Sequence, residues 1–549
     1  MHRRFRLLVA LVAGLFAGHA TANDDRGQGA PRPNFLIIVA DDLGFSDLGA
    51  FGGEIETPNL DALARRGLRL TGFHAAPTCS PTRAMLMSGT DHHRAGLGAM
   101  AEAMAPNQRG KPGYEGYLRS DVASLAEIMA AGGYRTFFSG KWHLGLAPEQ
   151  DPHARGFQHS FALLNGGHNH FGANVSADRT RGYAYTKDGA TLSALPANFY
   201  SSDSFTNELI EAMKQSRAGA DGNSPFFAYL AFTAPHWPLQ APAETVAKYR
   251  GRYDAGFEAL RRQRLLRQIE LGLLPSSDVP HEMTRQAGRW DSLSADQKRE
   301  SARAMEVYAA MVDRMDQNVG RLVRELEASH QLDNTVILFL SDNGAEGNPA
   351  MEAMEPGVVH DNSLANMGAA TSFVGYGPGW AEAATAPLWL YKAFVTEGGT
   401  RAPAFITWPA LARQRQVTQV YANVMDILPT FVRLAGLRLP EGRFAGRVVQ
   451  PVRGFDWAPF LAGRSERIYP ADKPVGGELF GQRALRQGDW KVVDPGDGKW
   501  RLFDIGKDPG EVQDLSGAEP ARTQAMITLW QAYADEVGVV TPPKPLLAP

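Results

Sequence analysis

Four short apolar runs, each stopping abruptly at polar residues, constrain the fold of this 549-residue chain more than any other feature. Asn34-Phe35-Leu36-Ile37-Ile38-Val39-Ala40 stops at Asp41-Asp42, and Thr335-Val336-Ile337-Leu338-Phe339-Leu340 stops at Ser341-Asp342-Asn343-Gly344. Tyr134 to Ser139 runs into Gly140-Lys141-Trp142-His143, and Phe226 to Phe232 runs into Thr233-Ala234-Pro235-His236. Continuous apolar runs of this length read as strands buried on both faces, the condition of a parallel sheet covered by helices. Helical spacing lies between them. Tyr308, Met311, Val312, Met315, Val319, Leu322 and Leu326 share one face, and Leu60, Leu63 and Ala64 repeat the spacing after a helix start at Thr57-Pro58-Asn59. The predicted class is α/β: a large mixed, mainly parallel sheet sandwiched by helices. Ligands of such sheets bind at the carboxyl ends of the strands, where all four runs release polar residues.

The ends of the chain read differently. Arg3, Arg4 and Arg6 precede an apolar run from Leu7 to Ala20, and Ala20-Thr21-Ala22 offers a small-residue cleavage site. Residues 1–22 are therefore expected to be a signal peptide, and the protein to be exported, either periplasmic or secreted. That run has about 14 residues against the roughly 20 a bilayer span needs, so no membrane span is expected in the mature protein. A net charge of -3 argues against a nucleic-acid surface. Composition changes near Gly436 to Gly442, which divides the remainder into a catalytic α/β domain, 23–440, and a smaller C-terminal α+β domain, 441–549. In the latter, Ala484 to Arg486 and Trp490 to Val493 flank a Gln487-Gly488-Asp489 turn as an antiparallel hairpin. Arg501 to Asp504 supplies a further strand, and Gln524 to Glu536 a closing helix. The arginine-rich stretch 251–303 reads as a solvated insertion, with a lid over the site as the alternative.

Asp41, Asp42, Asp342 and Asn343 would bring three carboxylates and one amide oxygen together if their strands converge. An all-oxygen set suits a hard cation. Ca²⁺ is the expected ion because no phosphate-bearing cofactor is implied, with Mg²⁺ the alternative. Cys79 is the only cysteine, so it forms no disulfide within its chain. It opens the run Cys79-Ser80-Pro81-Thr82-Arg83, followed by Ala84-Met85-Leu86-Met87-Ser88-Gly89.

This run resembles the signature of the type I sulfatases, in which the cysteine is oxidised to formylglycine (3-oxoalanine) by a separate modifying enzyme. Asp41-Asp42, Gly140-Lys141-Trp142-His143-Leu144-Gly145, His236 and Asp342-Asn343-Gly344 follow the family's order. The likeness extends from Asn34 to about Val540 and is nearest to the bacterial arylsulfatases, with an alkaline-phosphatase-like fold implied. It implies hydrolysis of a small-molecule sulfate ester by a formylglycine hydrate at position 79, beside a metal held by Asp41, Asp42, Cys79, Asp342 and Asn343. One hydroxyl of the hydrate attacks sulfur, and loss of a proton from the other expels sulfate. Lys141 and Lys392 would hold the sulfate oxygens, and Arg83 the hydroxyl and the metal-site carboxylates. His236 would protonate the leaving oxygen, and His143 would accept the proton that triggers release. Asp91-His92-His93 reads as loop structure near the site; His168 and His170 read as structural, with the pocket wall as the alternative. Phosphonate or phosphate monoester hydrolysis, and non-catalytic binding of a sulfated ligand, are the competing readings. The oligomeric state is not legible in the sequence.

Overall fold

The computed structural model describes residues 32–180, 182–219, 221–350 and 358–548. The proposed signal peptide lies outside the described residues. Five parallel strands stand at the centre of a 10-stranded sheet, in the order Thr335–Ser341, Asn34–Ala40, Phe226–Ala231, Arg135–Lys141 and His159–Leu163. The first four are the apolar runs of the sequence, now immediate neighbours. Shorter strands extend both edges, where Ala404–Thr407 runs antiparallel to Thr335–Ser341 and Tyr185–Lys187 antiparallel to His159–Leu163.

Alternation explains why these runs are apolar throughout. Leu36 and Ile38 point into one core, and Phe35, Ile37 and Val39 into the other. The first core is covered by Ser201–Ala218 and by the 34-residue helix Ala295–Ala328, whose predicted apolar face, Tyr308 to Leu326, is buried against the sheet. Ser294 and Gln297 form a capping box at the start of that helix. The second core is covered by Cys79–Ser88, Leu125–Ala131 and Ile427–Leu434. Gly140 is demanded where two central strands touch, since a Cβ there would lie 1.8 Å from the carbonyl oxygen of Ala231.

The C-terminal part contains an antiparallel sheet of Pro474–Leu479, Gln482–Gln487, Trp490–Asp494 and Arg501–Asp504. Its expected hairpin pairs Gln487 with Trp490 across the turn. Helix Pro520–Val537 packs Met526 and Trp530 onto Leu485, Val492 and Leu502.

The stretch 251–303 is largely exposed, as expected of a solvated insertion, but departs from that expectation in one helix. Helix Phe257–Glu270 turns Arg261, Arg264 and Gln268 inward. Arg264 reaches Asp47 at 2.6 Å and Glu54 at 2.8 Å, and Arg261 donates to the carbonyls of Glu382 and His281. Acceptors from other segments satisfy these two guanidinium groups, so Arg261 and Arg264 are buried rather than hydrated.

Candidate active site at the carboxyl edge of the sheet

Parallel strands in register end together, and backbone bonds tie their ends. The Asp41 amide donates to Ala234 O at 3.0 Å, and the Asp342 amide to Ala40 O at 3.1 Å. Asp41, Asp42, Asp342 and Asn343 thereby meet, all buried. The Asp42 amide donates to Asp342 Oδ1 at 3.3 Å, and Asn343 Nδ2 to Asp42 Oδ1 at 2.7 Å. Asp42 and His143 adopt left-handed backbone, with φ of 67° and 57°, a conformation that non-glycine residues hold only where the surroundings impose it.

Cys79 stands at the first turn of a helix whose ten residues are all buried, with Sγ 3.8 Å from Asp42 Oδ1. One ligand-type atom from each of Asp41, Asp42, Cys79 and His236 lies within 4.8 Å of the others. Arg83, one turn along the helix, donates Nε and Nη2 to Asp342 Oδ2 at 3.0 and 2.7 Å and Nη1 to Lys141 O at 2.7 Å. Lys141 Nζ lies 2.7 Å from Asp41 Oδ2. Lys392 Nζ lies 2.8 Å from both Asp42 Oδ2 and Glu346 Oε2. His236 Nε2 is 3.5 Å from Asp42 Oδ2, and its Nδ1 donates to Trp237 O at 2.5 Å. The structure thus brings Cys79, Arg83, Lys141, His236 and Lys392 into one cluster with the four oxygen-bearing residues. His143 stands on the wall of the adjoining cleft, 3.1 Å from Glu102.

Charge decides what this cluster can accept. Four carboxylates, on Asp41, Asp42, Asp342 and Glu346, face three permanent cations, Arg83, Lys141 and Lys392. The formal excess is one negative charge, which would repel an anionic substrate; a divalent cation reverses it to one positive charge. The donor set fits such an ion. Asp41 Oδ1 and Asn343 Oδ1 are buried and accept no hydrogen bond among the described residues, although buried acceptors are nearly always paired. Oxygen donors of this kind suit Ca²⁺ or Mg²⁺.

Protonation states follow from burial and neighbours. Burial would raise the Asp42 carboxyl, but Lys392 and Lys141 outweigh it and hold Asp42 far below the usual carboxylate range. Burial works against the Lys392 ammonium, yet Asp42 and Glu346 raise it well above its ordinary value. Burial, opposed by Asp42 and reinforced by Lys392 and Lys141, holds His236 well below the usual imidazole value. Burial also pushes the Cys79 thiol well up against the pull of both lysines, so the nucleophilic thiolate is not its resting form.

A cleft of about 480 Å³ opens onto Cys79, His236 and Lys392. Trp237, Phe373, Phe480, Met100, Leu546 and Leu547 make much of its wall apolar. His168 lines this cleft, whereas His170 lies behind it and donates Nε2–H to His236 O at 3.0 Å. His93, in the Asp91-His92-His93 loop, bridges Asp91 and Glu478 at 2.9 and 3.0 Å. Sequence reasoning passed over Glu346, Glu102, Phe480 and the two leucines. Glu346 closely follows the Asp342-Asn343-Gly344 motif, which was its one available signal; the others reach the site only through the fold.

Fold and site together place a cluster of buried oxygen donors, paired with two lysines and an arginine, beside Cys79 at the carboxyl edge of a mainly parallel α/β sheet. A family profile described as "Sulfatase" matches residues 33–437. The chain belongs to the sulfatase family and is a sulfuric ester hydrolase. It is 46% identical over 538 residues to an uncharacterised sulfatase of Schizosaccharomyces pombe, covering 94% of this chain and 96% of that one. It is 37% identical to an arylsulfatase of Klebsiella aerogenes, covering 82% and 95%, and 29% identical to human arylsulfatase A, covering 97% and 92%. Among solved structures, Ps i-CgsB in complex with k-i-k-neocarrahexaose superposes with a TM-score of 0.66 at 25% identity, covering 92% of this chain and 93% of that one. A Bacteroides fragilis putative sulfatase gives 0.64 at 19%, covering 93% and 97%. No helix among the described residues is long and apolar enough to cross a membrane.

Proposed function

We propose that this enzyme hydrolyses aryl sulfate monoesters through formylglycine derived from Cys79, with a divalent cation held by Asp41, Asp42, Asp342 and Asn343. The observation that carries this reading is the meeting of Cys79, two aspartates and His236 within 4.8 Å, under two lysines that reach the same carboxylates. A buried thiol with a raised pKa is a poor nucleophile, which favours Cys79 as a precursor rather than a working thiol. As a hydrated aldehyde, residue 79 supplies two hydroxyls on one carbon, one to attack sulfur and one whose deprotonation releases sulfate. The cation supplies charge that lowers the pKa of a neighbouring hydroxyl.

The chain's own residues do the rest. Lys141 and Lys392 stabilise the sulfate oxygens as charge shifts in the transition state. Arg83 acts by position, clamping Asp342 and the Lys141 carbonyl. His236 donates Nδ1–H to a carbonyl, which leaves Nε2 as the site that gains a proton and passes it to the departing oxygen. The charge of a bound ester joins Asp42 in favouring that protonation. Trp237, Phe373 and Phe480 suit an aromatic leaving group, which stacks on such rings. The arginines before Leu7 and the small residues at Ala20 to Ala22 support export.

Peptide mass spectrometry on protein from its native host tests the nucleophile, because conversion of the Cys79 thiol to an aldehyde lowers its mass by about 18 Da. An unmodified thiol in active protein would sink the proposal. Rates on aryl sulfate and aryl phosphate esters test the substrate; higher kcat/KM on the phosphate would overturn it.

A further inference from the structure

The catalytic reading of His143 leaves open how one ring nitrogen is kept free to accept a proton. His143 Nε2 lies 3.1 Å from Glu102 Oε1. An ionised carboxylate only accepts hydrogen bonds, so the hydrogen belongs on Nε2, and a neutral ring then carries its lone pair on Nδ1. Nδ1 is buried and has no hydrogen-bond partner among the described residues. The ring is held on further sides. Its backbone is left-handed, and Gly166 lies flat against it: a Cβ there would sit 2.5 Å from His143 Cε1. Cys79, His143, Glu102 and Gly166 all line the same cleft. His93, by contrast, bonds through both ring nitrogens, to Asp91 and Glu478.

We propose that Glu102 is a positioning residue that fixes the tautomer and ring orientation of His143, so that Nδ1 accepts the proton whose loss releases sulfate. This rests on the reading of His143 as proton acceptor. In that step the hydroxyl proton passes to Nδ1, and the pair it leaves on oxygen closes the carbonyl bond. The carbon–oxygen bond to sulfate breaks with its pair on the departing sulfate. Glu102 then faces the imidazolium that forms, the role a carboxylate plays behind a catalytic histidine in triads.

Two readouts test this, one of them independent of turnover. In protein carrying unmodified Cys79 and ¹⁵N-labelled histidine, with His143→Gln for assignment, the His143 signals are expected to show hydrogen on Nε2 only. Glu102→Ala should mix the tautomers, while Glu102→Gln, whose amide oxygen also accepts, should keep the wild-type form. In the modified enzyme, Glu102→Ala should leave the first release of 4-nitrophenol unchanged and slow sulfate release about 10- to 100-fold. That produces a burst of one product per site, with kcat and KM falling together and kcat/KM preserved. Glu102→Gln should recover part of the loss. An unchanged tautomer in Glu102→Ala, or a loss of kcat/KM without a burst, overturns the assignment. If His143→Gln loses turnover while Glu102→Ala does not, the positioning role alone fails. Wild-type turnover in His143→Gln removes the underlying reading of His143.

Discussion

Lys392, proposed above to hold the sulfate oxygens, is also paired with two buried carboxylates, and its replacement by methionine tests both roles. Its ammonium lies 2.8 Å from Asp42 Oδ2 and 2.8 Å from Glu346 Oε2, and its side chain is 6% exposed. Methionine keeps much of the volume and removes the charge, leaving two buried carboxylates facing each other. Removing one partner of a buried pair destabilises by about 3–5 kcal/mol, a large share of the roughly 5–15 kcal/mol that holds a domain folded. Loss of one cation from the developing sulfate charge should lower kcat by about 10²–10³-fold, the effect of deleting one preorganised donor. Adding Glu346→Gln removes one of the stranded carboxylates, so the double variant should regain part of the denaturation midpoint while activity stays low. The assays are denaturant unfolding at fixed cation concentration and hydrolysis of 4-nitrophenyl sulfate. Activity within a few-fold of wild type in Lys392→Met would refute the placement of Lys392 on the sulfate. Recovery of activity along with stability in the double variant would show that Lys392 acts only by neutralising its neighbours.

Chelation should abolish hydrolysis, and separate return of Ca²⁺ and Mg²⁺ should identify the ion; full activity in protein verified metal-free by elemental analysis would remove the cation from the site. His93 predicts a pH dependence of stability. Burial lowers its pKa, but Asp91 and Glu478 outweigh that and raise it to about 9 in the folded protein. Because the folded value lies above the unfolded one, the stabilisation is complete below pH 6.5 and is lost as pH rises to about 9; it amounts to roughly 3 kcal/mol. Unfolding midpoints across that window should fall in the wild type and fall less in His93→Gln. Leu546 and Leu547 line the cleft, with the Leu546 amide held to Phe480 O at 3.1 Å. Changing both leucines to serine should raise KM about 10-fold for a bulky aryl sulfate, the scale of losing one or two buried side-chain contacts, and less for a small one. Equal KM changes for both would refute a leaving-group role.

The sheet, its covering helices and the polar strand ends were legible because each is written locally. A residue buried on two faces must be apolar whatever covers it, so Asn34 to Ala40 announces a central strand without knowledge of its neighbours. The same holds for the Tyr308 to Leu326 face, whose spacing records one-sided burial. The Asp41-Asp42 and Asp342-Asn343 pairs were legible for a related reason, since polar residues after a buried strand can only stand at a sheet edge. Arg264 was misread because the fate of a charge depends on its partners. Asp47 and Glu54 lie more than two hundred positions away in the chain, and no local pattern links them to it.

The sequence by itself determined the class of the fold, the polar residues that close its buried strands and the presence of a lone cysteine. Tertiary structure decided the rest: the adjacency of the four strands, the pairing of Glu346 with Lys392 and of Glu102 with His143, and the cleft walled by Phe480 and Leu546. The physical reason is that burial and periodicity are properties of a segment, whereas compensation of charge and the shape of a cavity are properties of residues brought together from distant positions.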